Sequence, residues 1–407
     1  MVLGIIAEYN PFHNGHLYHL LKSKEEAKAD YTIAVIGGNF TQRGESSLFD
    51  KWTKAEMAVA NGIDLVIELP TIYSTSSAEN FADGAVKILN SLKIVDTLSF
   101  GTEAKDLNKL NIIANVLYSE PKEFKTILDE KLKKGISFPK AREEAIVEYL
   151  NDNSYSALIS SPNNILAIEY LKALKKYKSK IKPFSIKRKD AGHLSLDYTG
   201  EVTSATAIRK LVKENDLKRI KKFLTPSSYT ILMEEINKGH FVSDISLFEN
   251  IIIYNLRNMS LEEIANLPDV SEGLENLIKK AANSCNTIDE FINIVSSKRY
   301  TETRIRRILL YCLLKITKKD IALSKKCTPY VRVLGFNSNG KKLISQISKA
   351  NPKLNIITSV KKFTDVNTNK TLSNMLNKDI YATNVYTLGF PRDSWSNLDF
   401  TQKIHIK

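Results

Sequence analysis

Short apolar runs alternate with longer stretches of helical period through the first half of the chain. Residues 2–7, 31–36, 64–69 and 94–100 are rich in strand formers. The second run ends in Gly37-Gly38, the third is closed by Pro70 and the fourth by Gly101. Between them, residues near 15–28, 51–61 and 78–91 repeat their apolar positions at helical spacing. Strand–helix–strand units of this length predict a parallel sheet with right-handed crossovers. A fifth strand is expected at 183–188. Such sheets bind ligands at the carboxyl ends of their strands, where the strand order switches. The residues just after each strand are therefore the ones to read for chemistry.

The pattern then changes. Residues 104–150 read as helical and highly charged, punctuated by Pro121 and Gly135, an insertion or cover. From 205 onward helices dominate, near 205–223, 226–238, 246–257, 260–266, 272–283, 287–297 and 302–316. From about 329 the pattern is mixed, with a strand at 330–334, a helix near 340–349 and a strand near 354–357. The expected fold class is α/β. A Rossmann-like parallel-sheet domain covers 1–215, with its helical insertion at about 104–150. A basic, mainly helical region covers 216–407 and ends in the small mixed segment.

Composition narrows the class. The 407 residues are 43% hydrophobic and 26% charged, globular in character and too many for one ordinary core. No apolar run approaches the roughly 18–20 residues of a membrane span. The first apolar stretch lacks a basic lead and is broken by Glu8, so it reads as a buried strand and not a signal peptide. Cys285, Cys312 and Cys327 lack metal-ligand spacing, so neither a zinc site nor a disulfide scaffold is expected. A reducing, cytoplasmic setting follows. The net charge of +14 is uneven: residues 1–210 hold 28 basic and 26 acidic side chains, and residues 211–407 hold 31 and 19. One stretch, 298–326, carries ten basic residues, Arg304, Arg306 and Arg307 among them, against Glu302 and Asp320. An excess confined to one half favours a polyanionic partner such as nucleic acid.

Three loops carry candidate chemistry. Asn10-Pro11-Phe12-His13-Asn14-Gly15-His16 follows the first strand and opens a helix. A helix N-terminus offers unpaired N–H groups and a positive dipole end to phosphate. Gly15 lets a nucleotide approach the backbone. His13 and His16, three apart, can point to one side of the first turn and donate to a phosphoryl group as charge builds. The second piece is Thr203-Ser204-Ala205-Thr206-Ala207-Ile208-Arg209, where Ser204 can cap a helix bearing Thr206 and Arg209. H-x-G-H after strand one with S-x-T-x-I-R after strand five resembles the H-x-G-H nucleotidyltransferase superfamily. The third piece, Gly38-Asn39-Phe40-Thr41-Gln42-Arg43-Gly44-Glu45, follows strand two; Arg43 is placed to clamp a phosphate or carboxylate.

Together, A-E-Y-N-P-F-H-N-G-H, G-N-F-T-Q-R-G-E, D-L-V-I-E-L-P, S-P-N-N-I-L-A-I-E-Y and V-L-G-F resemble the bacterial tRNA(Met) cytidine acetate ligases over residues 7–336, densely in the first half and sparsely later. The resemblance implies a Rossmann-like parallel-sheet nucleotidyltransferase domain. It implies that ATP and acetate form acetyl-adenylate and pyrophosphate, without acetyl-CoA. The acetyl group then goes to N4 of the wobble cytidine of elongator tRNA(Met). It places ATP contacts on the strand-one loop, 7–20 (Ala7, Glu8, Tyr9, Asn10, Pro11, Phe12, His13, Asn14, Gly15, His16, Leu17, Tyr18, His19 and Leu20), and on Gly101, Asn163 and Arg188. The chemistry is expected of His13, His16, Arg43, Ser204, Thr206 and Arg209. Mg²⁺ is expected as the pyrophosphate partner; Glu8 is a possible ligand and equally a structural carboxylate. No Cys–His or Ser–His–Asp arrangement suggests a covalent acyl-enzyme, and adenylation needs none.

Three other readings compete. A small-molecule adenylyltransferase of the coenzyme-synthesis type shares the two phosphate motifs but has no need of a basic helical half. A class I aminoacyl-tRNA synthetase is suggested only by Ala322-Leu323-Ser324-Lys325-Lys326, which lies outside the alternating region. A purely RNA-binding module would not need two phosphate cradles at one sheet edge.

Overall fold

The computed structural model describes all residues except 104–105, 188–202 and 272. Its centre is one sheet of β1 (Val2–Ala7), β2 (Tyr31–Gly37), β3 (Leu65–Leu69), β4 (Thr97–Thr102), β5 (Lys182–Lys187), β6 (Val331–Phe336), β7 (Ile356–Ile357) and β8 (His405–Ile406). The spatial order is β5-β4-β1-β2-β3-β6-β7, with β8 also paired to β6. The first five strands are parallel. The chain winds from β1 outward through β2 and β3, then returns to lay β4 and β5 on the other side. The order therefore switches between β1 and β4, and a crevice opens beyond their carboxyl ends.

The apolar runs are continuous because both faces of the sheet are covered. Alternate side chains still go to opposite cores, as a period of two requires. Val2, Ile6, Ile33, Val35, Leu65 and Ile67 pack on one face, with helices Ala78–Leu92, Pro162–Lys176 and Lys370–Tyr386. Leu3, Ile5, Ala34, Ile36 and Val66 pack on the other, with helices Asn14–Ala27, Lys51–Ala60 and Ala205–Lys213. The expected insertion forms helices Leu107–Ser119, Lys122–Lys133 and Phe138–Leu150. No helix among the described residues is long and apolar enough to cross a membrane.

The segment from about 329 does not stand beside this sheet; it extends it. β6 runs antiparallel to β3, pairing Leu65 with Phe336 and Glu68 with Arg332. The sheet thus has strands from both sides of the division at 215/216. A charge cluster with almost no solvent access lies at that join. Lys51 Nζ is 2.9 Å from Glu68 and 2.7 Å from Asp399. Arg332 is 3.2 Å from Glu68 and also donates to Asp399. Burial pushes the Asp399 carboxyl up, but Lys51 and Arg332 outweigh it and hold it down at about 2. Beside the cluster, Asp379 accepts from the Thr71 amide at 2.7 Å and from the Tyr330 hydroxyl. Burial, then the neighbouring Glu68 charge, pushes Asp379 up to about 7.

The two carboxyls affect stability in opposite senses. Asp399, depressed in the fold, adds stability that is present above about pH 4 and is lost as pH falls through about 2. Asp379, raised in the fold, adds stability that is full below about pH 4 and is lost as pH rises through about 7. Asp379→Asn removes the second component alone. Urea unfolding of both proteins from pH 4 to pH 8 should show the variant gaining on wild type as pH rises. A constant difference across that window would show that Asp379 does not titrate there.

Candidate active site

A cavity of about 670 Å³ occupies the crevice at the switch point, and all three candidate loops border it. The helix after β1 is started by histidines. His13 is its N-cap, with Nδ1 accepting the Gly15 N–H at 3.0 Å. His16 Nδ1 accepts the His13 N–H at 3.2 Å, closing a capping box, and the two rings stack at 3.8 Å. A neutral imidazole that accepts at Nδ1 carries its hydrogen on Nε2, so the hydrogen-bond network assigns Nε2–H to both rings. Both rings line the cavity. Tyr9, held at φ +47°, sets its ring edge against His16 at 4.9 Å, and burial pushes its hydroxyl pKa up.

The span 7–20 does not face the cavity as a whole. Ala7, Glu8, Tyr9, Asn10, Tyr18 and His19 line it, as do His13, Gly15 and His16. Pro11, Phe12, Asn14, Leu17 and Leu20 are not part of its wall. Phe12 and Leu20 are buried in the core beneath, and the Asn14 amide donates to the Lys222 carbonyl at 3.0 Å. Successive helical residues turn by about 100°, so one run cannot present every side chain to one ligand.

The second loop is held from below. Lys54, fully buried, donates to the carbonyls of Gly37 and Gly38 at 2.8 and 2.5 Å and to Ser47 Oγ at 3.0 Å. Burial lowers the Lys54 ammonium to about 8. The Lys51 N–H fixes Asn39, and the Gln42 N–H donates to Glu8 at 2.8 Å. The tip turns at Gly44, φ +78°, against the backbone of helix Glu302–Leu314. Arg43 stands exposed on the cavity rim, with no ion pair among the described residues.

Arg209 joins the three loops. It donates to the Asn10 carbonyl at 3.2 Å, to Glu45 at 2.8 Å and to Thr206 at 3.3 Å. Ser204 caps the helix Ala205–Lys213 by accepting the Ala207 N–H at 3.1 Å, and Thr203 to Thr206 border the cavity. Gly101 and Asn163 also line it, with the Asn163 amide donating to Glu103 at 2.7 Å. Arg188 lies outside the described residues; its neighbour Lys187 is in the wall. Sequence reasoning missed Phe81, Phe100 and Tyr170, an apolar wall whose period matches any core helix or strand, and Thr303, which arrives from a distant helix. Among the described residues no group of three or more His, Cys, Asp or Glu is placed to hold a metal.

The arginine run departs from expectation. Arg304 donates to the Asp269 carbonyl and to Ser271, both at 2.8 Å, and Arg307 donates to the Asp269 carboxylate at 2.8 Å. Arg306 pairs with Glu302 at 2.8 Å. Arg304 and Arg307 thus brace the turn around Asp269, while Arg306 is paired within its own helix.

A switch-point crevice, an H-x-G-H helix start and a second capped helix define a nucleotidyltransferase-type site. The HIGH Nucleotidyl Transferase pattern matches residues 1–399, and the chain belongs to that family. Its relatives there are named tRNA(Met) cytidine acetate ligase. The protein of Thermoanaerobacter sp. strain X514 is 50% identical over 400 residues, 98% of each chain. That of Halothermothrix orenii is 43% identical over 97% of this chain and 96% of its own. The crystal structure of Thermotoga maritima TmcAL bound with alpha-thio ATP is 35% identical. It superposes with a TM-score of 0.94, over 100% of this chain and 99% of that one.

Gly44 gives a direct check on the loop seat. A Cβ there would lie 2.5 Å from the Arg306 carbonyl carbon, at a backbone angle that disfavours side chains. Gly44→Ala should lower the unfolding free energy by about 1–3 kcal/mol, measured by urea denaturation. A variant as stable as wild type would show that the loop does not seat on that helix.

Proposed function

We propose that this protein is an ATP-dependent ligase that activates acetate as acetyl-adenylate. It transfers the acetyl group to N4 of the wobble cytidine of elongator tRNA(Met), leaving N4-acetylcytidine. The observation that carries this reading is the convergence of three strand-end loops on one cavity, with both motif histidines fixed as Nε2–H donors. The names of the relatives supply the choice of acetate and tRNA(Met).

In the first step an acetate oxygen attacks the α-phosphorus of ATP in line. The bond to the bridging oxygen breaks and pyrophosphate leaves. His13 and His16 donate from Nε2 to phosphate oxygens as charge builds, with no change of their own protonation. The N-terminus of helix Ala205–Lys213 adds backbone N–H groups and its dipole. Arg43, on the rim without an ion pair among the described residues, is the guanidinium available to clamp phosphate. Arg209 keeps the loops in register, and the wall of Phe81, Phe100 and Tyr170 offers an apolar face to the adenine. Positioning and charge stabilisation supply most of the acceleration. In the second step the cytidine N4 amine attacks the acetyl carbonyl carbon. The C–O bond to AMP breaks, and N4 gives up a proton.

Magnesium, when bound with the nucleotide, neutralises phosphate charge. It commonly keeps several waters and takes one or two carboxylates beside the phosphates. The cavity fits that pattern: Glu8 and Glu45 are its carboxylates, Glu45 is paired with Arg209, and Glu8 is the one that would hold the ion.

Acetate should drive exchange of labelled pyrophosphate into ATP without RNA, and acetyl-CoA should not replace acetate plus ATP. Acetylation of tRNA from acetyl-CoA without ATP would overturn the ligase reading. His16→Ala should reduce the exchange rate by roughly 10²-fold or more while the protein stays folded by circular dichroism. Exchange at the wild-type rate in that variant would remove His16 from the chemistry.

A further inference from the structure

A second basic run lies against the cavity and has a different fate from the first. Seven of the fourteen residues 209–222 are Lys or Arg, against Glu214 and Asp216. The segment folds as helix Ala205–Lys213, the short helix Leu217–Ile220 and the turn Lys221–Phe223. Its apolar positions, Ile208, Leu211, Val212, Ile220 and Leu224, are buried on the sheet face that also holds the H-x-G-H helix. Its basic positions from Lys210 to Lys222 are exposed.

One end of this run is in the cavity wall, and the other is tied to the helix start beside it. Arg209 is in the cavity wall. The Lys222 carbonyl is tied to Asn14, the residue before the wall residue Gly15. Between these ends the charge is weakly engaged. Lys218 and Lys221 have no carboxylate partner among the described residues. Lys210–Glu214 at 3.8 Å and Arg219–Asp216 at 3.2 Å are exposed pairs of the kind that contribute little and that phosphate displaces. Lys213 is held more firmly, by Asp244 of another element at 2.7 Å. Aromatic rings are interleaved: Lys221 lies 5.9 Å from the Tyr229 ring and Lys222 5.0 Å from the Phe223 ring. Arg304 and Arg307, by contrast, are spent on Asp269. The lysines at the end of the 298–326 run sit on helix Lys318–Lys326, whose Ser324 carbonyl accepts from Tyr73 in the core of the opposite sheet face.

We propose that the RNA partner docks on the basic face of residues 210–222, which leads its phosphate backbone to the mouth of the cavity. This inference rests on the tRNA-ligase reading and adds the surface. Charged contacts of this kind fix the position of a nucleic acid without reading its bases. The surface therefore supplies affinity, and the choice of cytidine belongs to contacts within the cavity.

The test compares full-length wild type with Lys218→Glu/Lys221→Glu and, as comparator, Lys325→Glu/Lys326→Glu. Binding of a tRNA(Met) transcript is measured across a series of salt concentrations, with acetate-dependent pyrophosphate exchange run on each protein. The first variant should bind at least about tenfold more weakly at low salt, and its log–log salt slope should flatten by about 2, roughly 0.9 for each phosphate left without its lysine. Exchange should stay at the wild-type rate, and the comparator should bind within about twofold of wild type. Wild-type binding by the first variant at every salt concentration would overturn the surface alone. So would a comparator that loses as much or more. Loss of exchange together with binding would place the effect in the nucleotide site and overturn the surface as well. Failure of the wild type itself to bind the transcript would overturn the underlying reading instead.

Discussion

Four charges with almost no access to water, Lys51, Glu68, Arg332 and Asp399, fix how the rest of the chain is arranged. Each needs the others, because a charge left alone in the interior costs several kcal/mol. The two cations and two carboxylates balance, and they come from a helix start, a strand end, an added strand and a short helix near residue 399. No shift of β6 along β3 keeps all the contacts. The cluster is also tied to the second loop. Lys51 opens the helix Lys51–Ala60; its backbone holds Asn39, and Lys54 on the next position of the same face holds Gly37 and Gly38. The helix that begins at the buried charges is thus the one on which the Arg43 loop rests.

The H-x-G-H loop shows the same economy at smaller scale. The Nδ1 atoms of both histidines start the helix, and the same two rings line the cavity. Helix start and cavity wall share one set of hydrogen bonds. Arg209 works similarly between loops. In this structure its guanidinium is committed to Asn10, Glu45 and Thr206, so it ties the three motifs together, while Arg43 stands exposed on the cavity rim.

Much of this was legible in the sequence, for identifiable reasons. β1 to β5 are apolar runs between helices of clear period, and the motif residues follow strand ends, where such sheets place ligands. Three features were not legible. The strand at 330–334 is legible, but not the buried role of Arg332 within it, because the carboxylates that neutralise it lie at 68 and 399. Arg304 and Arg307 read as a free basic face, because their partner Asp269 lies more than thirty positions upstream. Phe81 and Tyr170 read as core, since an apolar side chain facing a cavity and one facing a core obey the same period. Phe12 and Leu20 are the converse: both lie within the span 7–20 and both are core, Leu20 by the helical period and Phe12 from the turn before the helix.

The buried cluster also has a consequence in time. Lys51 and Asp399 are 348 residues apart along the chain. At a synthesis rate of about 5–20 residues per second, Lys51 leaves the ribosome on the order of 20–70 s before its second carboxylate exists. For most of that interval the β3 edge has no β6 to pair with, and Glu68 has no Arg332. The nascent first half therefore emerges with an open strand edge and an incomplete charge cluster, and its second loop lacks the helix on which Gly44 sits. An open edge is a template for pairing with other chains. The polarity of Glu68 on that edge is what keeps the waiting strand from being an uninterrupted apolar one.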